Sequence, residues 1–182
     1  SIGAWAFEES DKLQSVVIEG NVPAIPEGCF IYLSSLTSVT LPASVREIGI
    51  DAFNQCKTGL LTLPASLEVI GERAFSNNGI TQLTIPNKVT TIGNSAFSAN
   101  DIETIDLPAS LTSLSGVAFE WKSAKTIICR AVNVPQVVTT QNNPTPFNNA
   151  ISSDCVLKVP AESLSEYQAA WGSYFNTIEA IE

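Results

Sequence analysis

The chain has 182 residues, of which 45% are hydrophobic and 15% charged, and this composition is typical of a folded globular domain. Its 18 acidic and 9 basic residues leave a net charge of −9, which opposes binding to nucleic acid or to an anionic lipid surface. Histidine is absent, which removes the commonest general base and transition-metal ligand, and no apolar run is long enough to span a bilayer.

A phenylalanine returns along much of the chain at almost constant spacing. Its positions are separated by 23, 23, 22, 22 and 22 residues: Phe7, Phe30, Phe53, Phe75, Phe97 and Phe119. The neighbouring residues recur with it, most fully in segments 70–75 and 92–97, so the period belongs to a whole structural unit. A period of this length predicts a solenoid in which each coil is one repeat.

Each repeat contains a short alternating segment that ends at a proline. One copy spans 83–85 and is followed by Pro86, and this proline recurs every 22 residues in the middle repeats. Alternation predicts a strand with one buried face, and proline ends the strand because it cannot donate to a ladder. We therefore predict one strand per coil, stacked in parallel on its neighbours, and a second extended piece from the Val45-type to the Ile48-type residue.

The turn after the second extended piece carries a glycine and then an alanine–phenylalanine pair. Glycine at positions 49, 71 and 93 suits a tight bend, and the pair turns aromatic bulk inward between coils. One coil alone cannot bury these rings on both sides. We therefore predict that the repeats fold as a cooperative array.

The recurring pattern resembles the BspA-like branch of the leucine-rich repeats, found mostly in bacterial surface and secreted proteins. The matching positions are a leucine-like residue, valine, isoleucine and proline, then isoleucine–glycine and alanine–phenylalanine, over residues 2 to about 130. The resemblance implies a right-handed β-solenoid, mainly β with short turns, of about seven coils of 22–23 residues. Departures from the pattern are Glu19 and Arg130 at proline positions and Thr58 at a leucine position.

The position three residues after the phenylalanine is often cysteine in that family. Cys56 occupies it here, and Asn78 and Asn100 take the same position in the next two repeats. Asparagine there can bond to backbone groups of the turn and connect adjacent coils.

The chain has four cysteines, Cys29, Cys56, Cys129 and Cys155, none of which forms a CxxC pair. No two of them occupy equivalent positions in neighbouring repeats, which favours four small buried thiols. A disulfide between one pair stays open as the alternative, so the cysteines do not indicate a redox compartment.

We predict a single domain over 1–182, with six regular repeats in 1–131, an irregular seventh coil in 132–160 and a C-terminal cap in 161–182. In the cap, apolar residues follow one another at spacings of 3, 4 and 4: Leu164, Tyr167, Trp171 and Phe175. This stripe predicts a short helix over the last coil, where no further repeat hides the hydrophobic residues. We expect Glu182 to lie near the end of the protein. Because the chain begins inside a repeat, we expect an upstream segment.

In leucine-rich repeats the outward residues of the stacked strands form a face, and family members generally bind along it. Small hydroxyl side chains dominate the corresponding columns in this chain. The candidate binding face comprises Ser38, Thr40, Leu60, Thr62, Gln82, Thr84, Thr104, Asp106, Thr126 and Ile128. Threonine is also an ordinary solvent-facing strand residue, so a face without a specific ligand is the alternative. The columns have no aromatic stripe, which disfavours carbohydrate.

The sequence predicts no catalytic residue, metal site or cofactor. Serine is plentiful but has no histidine partner, and no pair of carboxylates is singled out by its surroundings. The places to look for calcium are Glu8, Glu9 and Asp11, and Asp101, Glu103 and Asp106. Neither cluster has the spacing and glycine of a dedicated calcium loop, which favours a solvated acidic surface.

Two tryptophans, Trp5 and Trp121, lie outside the predicted core. Trp5 takes a position that other repeats fill with Gly28, Asp51 or Arg73, so we expect it near the surface of the first coil. It either contacts an upstream segment or a second molecule, or folds over the open edge. The uncapped first coil also predicts edge-to-edge self-association.

The resemblance implies a non-catalytic module, secreted or on the cell surface, that binds a protein or a host-surface partner in an adhesion-like role. The alternative is a rigid spacer or stalk of a larger surface protein, with no specific ligand on its repeat face. Neither hypothesis involves nucleic acid, a cofactor or membrane insertion. The identity of the partner and the oligomeric state do not follow from the sequence.

Overall fold

The computed structural model describes residues 2–59, 62–115, 117–119, 124–139, 147 and 151–182. These residues form a parallel β-solenoid of about seven turns with one short C-terminal helix, which confirms the predicted fold class. We number the coils by their turn phenylalanines. Coils one to seven contain Phe7, Phe30, Phe53, Phe75, Phe97, Phe119 and Phe147.

The strands of the described residues are short, and every pairing between them is parallel. In chain order they are β1 (Ser15–Val17), β2 (Ala24–Ile25), β3 (Ser38–Thr40), β4 (Glu47–Ile48), β5 (Val69–Ile70), β6 (Thr91–Ile92), β7 (Thr104–Leu107), β8 (Ser113–Ser115), β9 (Thr126–Cys129), β10 (Gln136–Val138), β11 (Val156–Val159) and β12 (Thr177–Ala180). A 3-10 turn at Ala161–Ser163 leads into helix α1, Leu164–Trp171.

The second extended piece of each repeat builds the longest ladder. Strands β2, β4, β5, β6, β8 and β10 form a six-stranded sheet with one strand from each of coils one to six. The sequence predicted this extended piece but did not predict that it builds the longest ladder. Strand β10 lies inside 132–160, which the sequence assigns to an irregular seventh coil, and positions 140–146 and 148–150 lie outside the described residues.

The side of the solenoid with the predicted binding face, here called the strand face, has a less regular ladder. Strands β1 and β3 pair in coils one and two, while β7, β9, β11 and β12 form a four-stranded sheet at the other end. In coil three, positions 60 and 61 lie outside the described residues, and in coil four only Gln82 forms a bridge. The prediction that every coil has a strand on this face is therefore wrong for coil four.

The turn phenylalanines of coils one to six form one continuous stack through the core. Neighbouring ring centroids from Phe7 to Phe119 are 5.0 to 5.9 Å apart, with interplanar angles of 3 to 11°. The rings of coils two to five are fully buried, whereas Phe7 is 37% exposed because no coil covers it in the structure. The predicted inward orientation and its dependence on stacking are confirmed.

The turns around the stack use left-handed backbone at two positions per coil. The first is occupied by Trp5, Gly28, Asp51, Arg73 and Ser95, and the second by Glu9, Tyr32, Gln55, Asn77 and Ala99. This conformation lets the phenylalanine N–H donate to the alanine-position carbonyl of the next coil, as Phe53 does to Ala74 at 2.9 Å. Residues with a Cβ adopt it at a cost of roughly 1–2 kcal/mol each.

We expect Ala99→Gly to raise the free energy of unfolding by about 1 kcal/mol, because exposed Ala99 has a φ of 54° that glycine adopts without strain. The matched control is Ala169→Gly, which removes a methyl group from the exposed side of α1 and should destabilise the chain by about 1 kcal/mol. Chemical denaturation measures both. Equal effects of the two changes would contradict the strain at position 99.

The glycines at positions 49, 71 and 93 are needed for close approach between coils. None of the three has left-handed backbone, and a Cβ on any of them would come within 2.9 Å of backbone atoms in the preceding coil. They begin the turn, as the sequence predicts, since Ala52 donates its N–H to the Gly49 carbonyl. The absence of a side chain, however, serves the packing of one backbone against another.

Buried amides connect the turns, as the sequence analysis expected. The Asn100 Nδ2 donates to the carbonyls of Phe75, Phe97 and Ser98 at 2.9 to 3.3 Å, and its Oδ1 accepts from the N–H groups of Asn78 and Ile80.

The other members of this column bond in a similar way. The Asn78 Nδ2 donates to the Phe53 carbonyl at 2.7 Å, and the Cys56 thiol donates to the Phe30 carbonyl at 3.0 Å. Thr58, which departs from the repeat pattern, is buried and donates to the Asn78 Oδ1 at 2.9 Å. The departure is therefore a satisfied polar contact.

Helix α1 covers the end of the core as predicted. Tyr167 and Trp171 are at most 2% exposed, and the Tyr167 hydroxyl donates to the Ala131 carbonyl at 2.8 Å. Because its one hydrogen is used there, the Cys129 thiol, 3.2 Å away, donates to the hydroxyl oxygen. The sequence pattern does not predict β12, which pairs with β11 after the helix and adds a strand to the strand face.

Candidate functional site

The structure places most of the predicted binding face at the surface. Ser38, Thr40, Thr62, Gln82, Thr84 and Thr104 are exposed, whereas Asp106, Thr126 and Ile128 are half-buried. Leu60 lies outside the described residues. Where strands pair, the predicted columns are in register, since Ser38 lies beside Ser15 and Thr126 beside Thr104.

The two halves of the strand face differ in how well they cover the core. The inward side chains Val39 and Leu41 of coil two are only half-buried. The corresponding Ile105 and Leu107 of coil five are at most 1% exposed. The face is therefore closed in the coils of the four-stranded sheet, and its apolar floor is partly accessible towards coil one.

The closed half also pairs its own charges. Lys125 contacts Glu103 at 2.7 Å, and Arg130 holds Asp106 through two bonds of 2.6 Å. The Asp106 carboxylate raises the pKa of the Arg130 guanidinium, because it bonds to and stabilises the charged form. Arg130, a departure from the repeat pattern, thus serves to link coils five and six.

The carboxylates considered for calcium are not assembled into a metal site. Glu8, Glu9 and Asp11 are exposed at the first coil, and Glu103 and Asp106 have cationic partners. Within the described ranges, no group of three or more acidic or cysteine side chains is arranged to hold a metal ion.

Two shallow depressions adjoin Thr84 on the strand face. The first, about 530 Å³, lies between coils three and four and is lined by Thr62, Leu63, Ala65, Thr84, Ile85, Pro86, Asn87 and Lys88. The second, about 540 Å³, lies between coils four and five and is lined by Thr81, Gln82, Leu83, Thr84, Asp101, Glu103 and Thr104. We call the pair the Thr84 groove.

A polar cluster on the turn side was not anticipated from the sequence. Asp51, 7% exposed, accepts from the Nε and Nη2 of Arg73 at 2.9 and 2.8 Å and from the Nδ2 of Asn54 at 2.9 Å. Asp51 and Arg73 occupy equivalent turn positions in adjacent coils, so opposite charges one repeat apart were the available signal. The groups of the cluster satisfy one another and join the turns of coils three and four.

Trp5 lies near the surface of the first coil, as expected. It is 40% exposed, and its ring packs so closely over Gly28 that a Cβ on that glycine would lie 2.2 Å from it. The indole thus covers part of coil two. Trp121 lies outside the described residues.

The four cysteines are buried and free, as the sequence analysis favoured. Burial raises the pKa of Cys29 and Cys155 to about 11 and that of Cys56 to about 12, and it also raises the pKa of Cys129. A thiol with a raised pKa is protonated at neutral pH and therefore a poor nucleophile.

We expect no reaction of the folded chain with Ellman's reagent at pH 8, because less than about one thiol in a thousand is then ionised at a pKa near 11. Unfolding in guanidinium without a reductant should release four reactive thiols per chain. Rapid labelling of the folded protein would contradict the burial of the thiols. Fewer than four thiols after unfolding would indicate a disulfide.

In the part of the chain that the structure describes, no helix has the length and apolarity needed to cross a membrane. A family model described as a BspA type leucine rich repeat region matches residues 1–128 in six copies. Comparison with curated proteins finds no match.

Among solved structures, the chain is similar to a leucine-rich repeat protein from Bacteroides ovatus ATCC 8483, at 19% identity over 98% of this chain, with a TM-score of 0.43. A leucine rich cell surface protein from Faecalibacterium prausnitzii A2-165 matches at 19% identity over 98%, with a TM-score of 0.40. The pneumococcal vaccine antigen PcpA matches at 15% identity over 94%, with a TM-score of 0.37. The chain spans 57%, 62% and 68% of the lengths of these proteins, respectively.

Proposed function

Because this chain belongs to the BspA-type leucine-rich repeat family, we propose that it is a non-catalytic module, secreted or on the cell surface, that binds a protein through its strand face. The location rests on the family, whose members are mostly bacterial surface and secreted proteins. The absence of histidine and the raised pKa values of the buried thiols support a role without catalysis.

The observation that carries this proposal is the open half of the strand face. Exposed hydroxyl and amide side chains such as Thr40, Thr62 and Gln82 stand in columns there, and partly accessible Val39 and Leu41 lie beneath them. Protein interfaces combine an apolar centre with a polar rim in this way. Seven coils at a strand spacing of about 4.8 Å give a face roughly 30 Å long, which suits a modest interface.

A second candidate function is that of a rigid spacer. It is favoured by the six-stranded ladder, which runs without a break through coils one to six, and by the continuous phenylalanine stack. Both features resist bending between coils. A spacer needs no ligand on the strand face, so the two functions predict different results when that face is changed.

The test is capture of proteins from host-cell surface and matrix extracts, followed by mass spectrometry. The variant Thr40→Lys/Thr62→Lys/Thr84→Lys places three long cations on the exposed face. The control Thr112→Lys/Gln136→Lys/Gln168→Lys adds the same charge at exposed positions just before β8, in β10 and in helix α1. Both variants must unfold at the same denaturant concentration as the parent chain.

We expect the parent chain and the control to capture the same partner and the strand-face variant to lose it. A partner retained by all three chains would place binding elsewhere on the molecule. Capture of no partner by any of them would favour the spacer function.

A further inference from the structure

We propose that the Thr84 groove binds an extended peptide segment in which an apolar side chain and a lysine or arginine are four residues apart. The apolar side chain enters the depression between coils three and four, and the cation lies over the acidic depression between coils four and five. This inference rests on the proposed function, because it assigns a class of partner to the strand face.

The depression between coils three and four provides an apolar site. Leu63, Ile85 and Pro86 line it together with the methyl group of Ala65, and its volume is about 530 Å³. Leu63 and Ile85 are 8% and 4% exposed, so the apolar surface that a ligand meets is mainly that of Ala65, which is exposed, and Pro86, which is half-buried. The hydroxyls of Thr62 and Thr84 stand at the edge, where they offer hydrogen bonds to the main chain of a bound peptide.

The depression between coils four and five is acidic. Asp101 is exposed and forms no ion pair within the described part of the chain. Glu103 contacts Lys125, but these side chains are 63% and 69% exposed, so water screens the pair and it contributes little to stability. A cation from a ligand adds favourable charge here, and the net charge of −9 attracts it from a distance.

The geometry matches side chains four residues apart on one face of an extended segment. The two depressions lie on opposite sides of coil four, so they are about one coil spacing, roughly 5 Å, apart across the stack. They are also offset along the coil: Glu103 lies one position before Thr104, in the column of Gln82, and therefore about four positions, roughly 13 Å, before Ile85. In an extended peptide, residues four positions apart lie on one face and are roughly 13–14 Å apart, which matches this combined distance.

The probe is a phage-displayed library of random heptapeptides selected on the immobilised chain, followed by synthesis of the enriched sequences and fluorescence polarisation. We expect an apolar residue and a lysine or arginine four positions apart. Binding should weaken as salt is raised, because part of it is electrostatic. Failure to enrich peptides, or enrichment of acidic or uncharged ones, would overturn the proposal.

The matched variants separate a local site from the overall charge. Asp101→Lys/Glu103→Lys should weaken binding of the selected peptide at least about tenfold, and Asp101→Asn/Glu103→Gln should weaken it less. Glu8→Lys/Glu9→Lys makes the same charge change at exposed positions of coil one and should leave nearly all of the affinity. Equal losses in the two lysine variants would overturn the proposal.

Failure of this inference is distinguishable from failure of the proposed function. If the partner captured by the parent chain is lost with the threonine-to-lysine variant but retained by Asp101→Lys/Glu103→Lys, the strand face binds a protein without the acidic depression. That outcome overturns the peptide assignment and leaves the proposed function standing.

Discussion

Replacing Phe75 with alanine is expected to lower the free energy of unfolding by about 3–5 kcal/mol. The ring is fully buried and stacks on Phe53 at 5.4 Å and on Phe97 at 5.5 Å. Alanine leaves a cavity between two coils whose backbones are held by hydrogen bonds on both sides of the turn, such as that from Phe75 to Ala96. The surrounding rings therefore cannot move together to fill the space.

The matched change is Phe7→Ala, at the same position of coil one. Phe7 is 37% exposed and, among the described residues, stacks only on Phe30, so we expect a loss well below that at Phe75. Guanidinium denaturation followed by circular dichroism compares the two variants, with the midpoint and the slope both recorded. A loss at position 7 equal to that at position 75 would contradict the view that neighbours on both sides hold each ring.

The core was predictable because every coil repeats the same burial. Each turn phenylalanine has the same neighbours one period away, so the sequence period directly indicates a stack. The amide column was predictable for the same reason, since Asn78 and Asn100 occupy equivalent positions and bond to equivalent carbonyls. Positions that recur in the sequence meet recurring partners in the fold.

Features set by the local geometry of particular coils were not predictable. The sequence pattern of coil four predicts a strand at 83–85, yet only a bridge at Gln82 forms there. Strand β12 occurs once, after the helix, and has no earlier copy with which to compare it. Pairing of short strands depends on contacts with the neighbouring coil, which a single repeat does not contain.

The candidate site was predictable as a set of columns but not as a surface. Alternation indicated that Thr40, Thr62 and Thr84 point outward, and all three are exposed. It did not indicate that Asp106 is held by Arg130 or that the floor is more accessible near coil one. Such differences arise because repeats of equal length carry side chains of different size and charge, which pack differently between coils.

Replacing Gly71 with alanine is expected to destabilise the chain by about 3 kcal/mol. A Cβ there would lie 2.7 Å from the Gly49 carbonyl carbon and 2.8 Å from the Ile50 nitrogen. These are backbone atoms of the preceding coil, so no rotamer change relieves the contact. The turns of coils three and four would have to separate, which weakens the bond from the Gly71 N–H to the Ile48 carbonyl, 2.8 Å long.

Gly3→Ala provides the control for this change, because Gly3 occupies the same repeat position and a Cβ there would have no atom within 4 Å. Its backbone is not left-handed, so alanine restricts the unfolded chain and should stabilise the fold by about 0.4–1 kcal/mol. The same substitution thus has opposite signs in the turns of coils one and four, which a thermal or guanidinium midpoint resolves. Similar effects at both positions would show that the coils separate without cost, and would refute close backbone contact as the reason for glycine in this column.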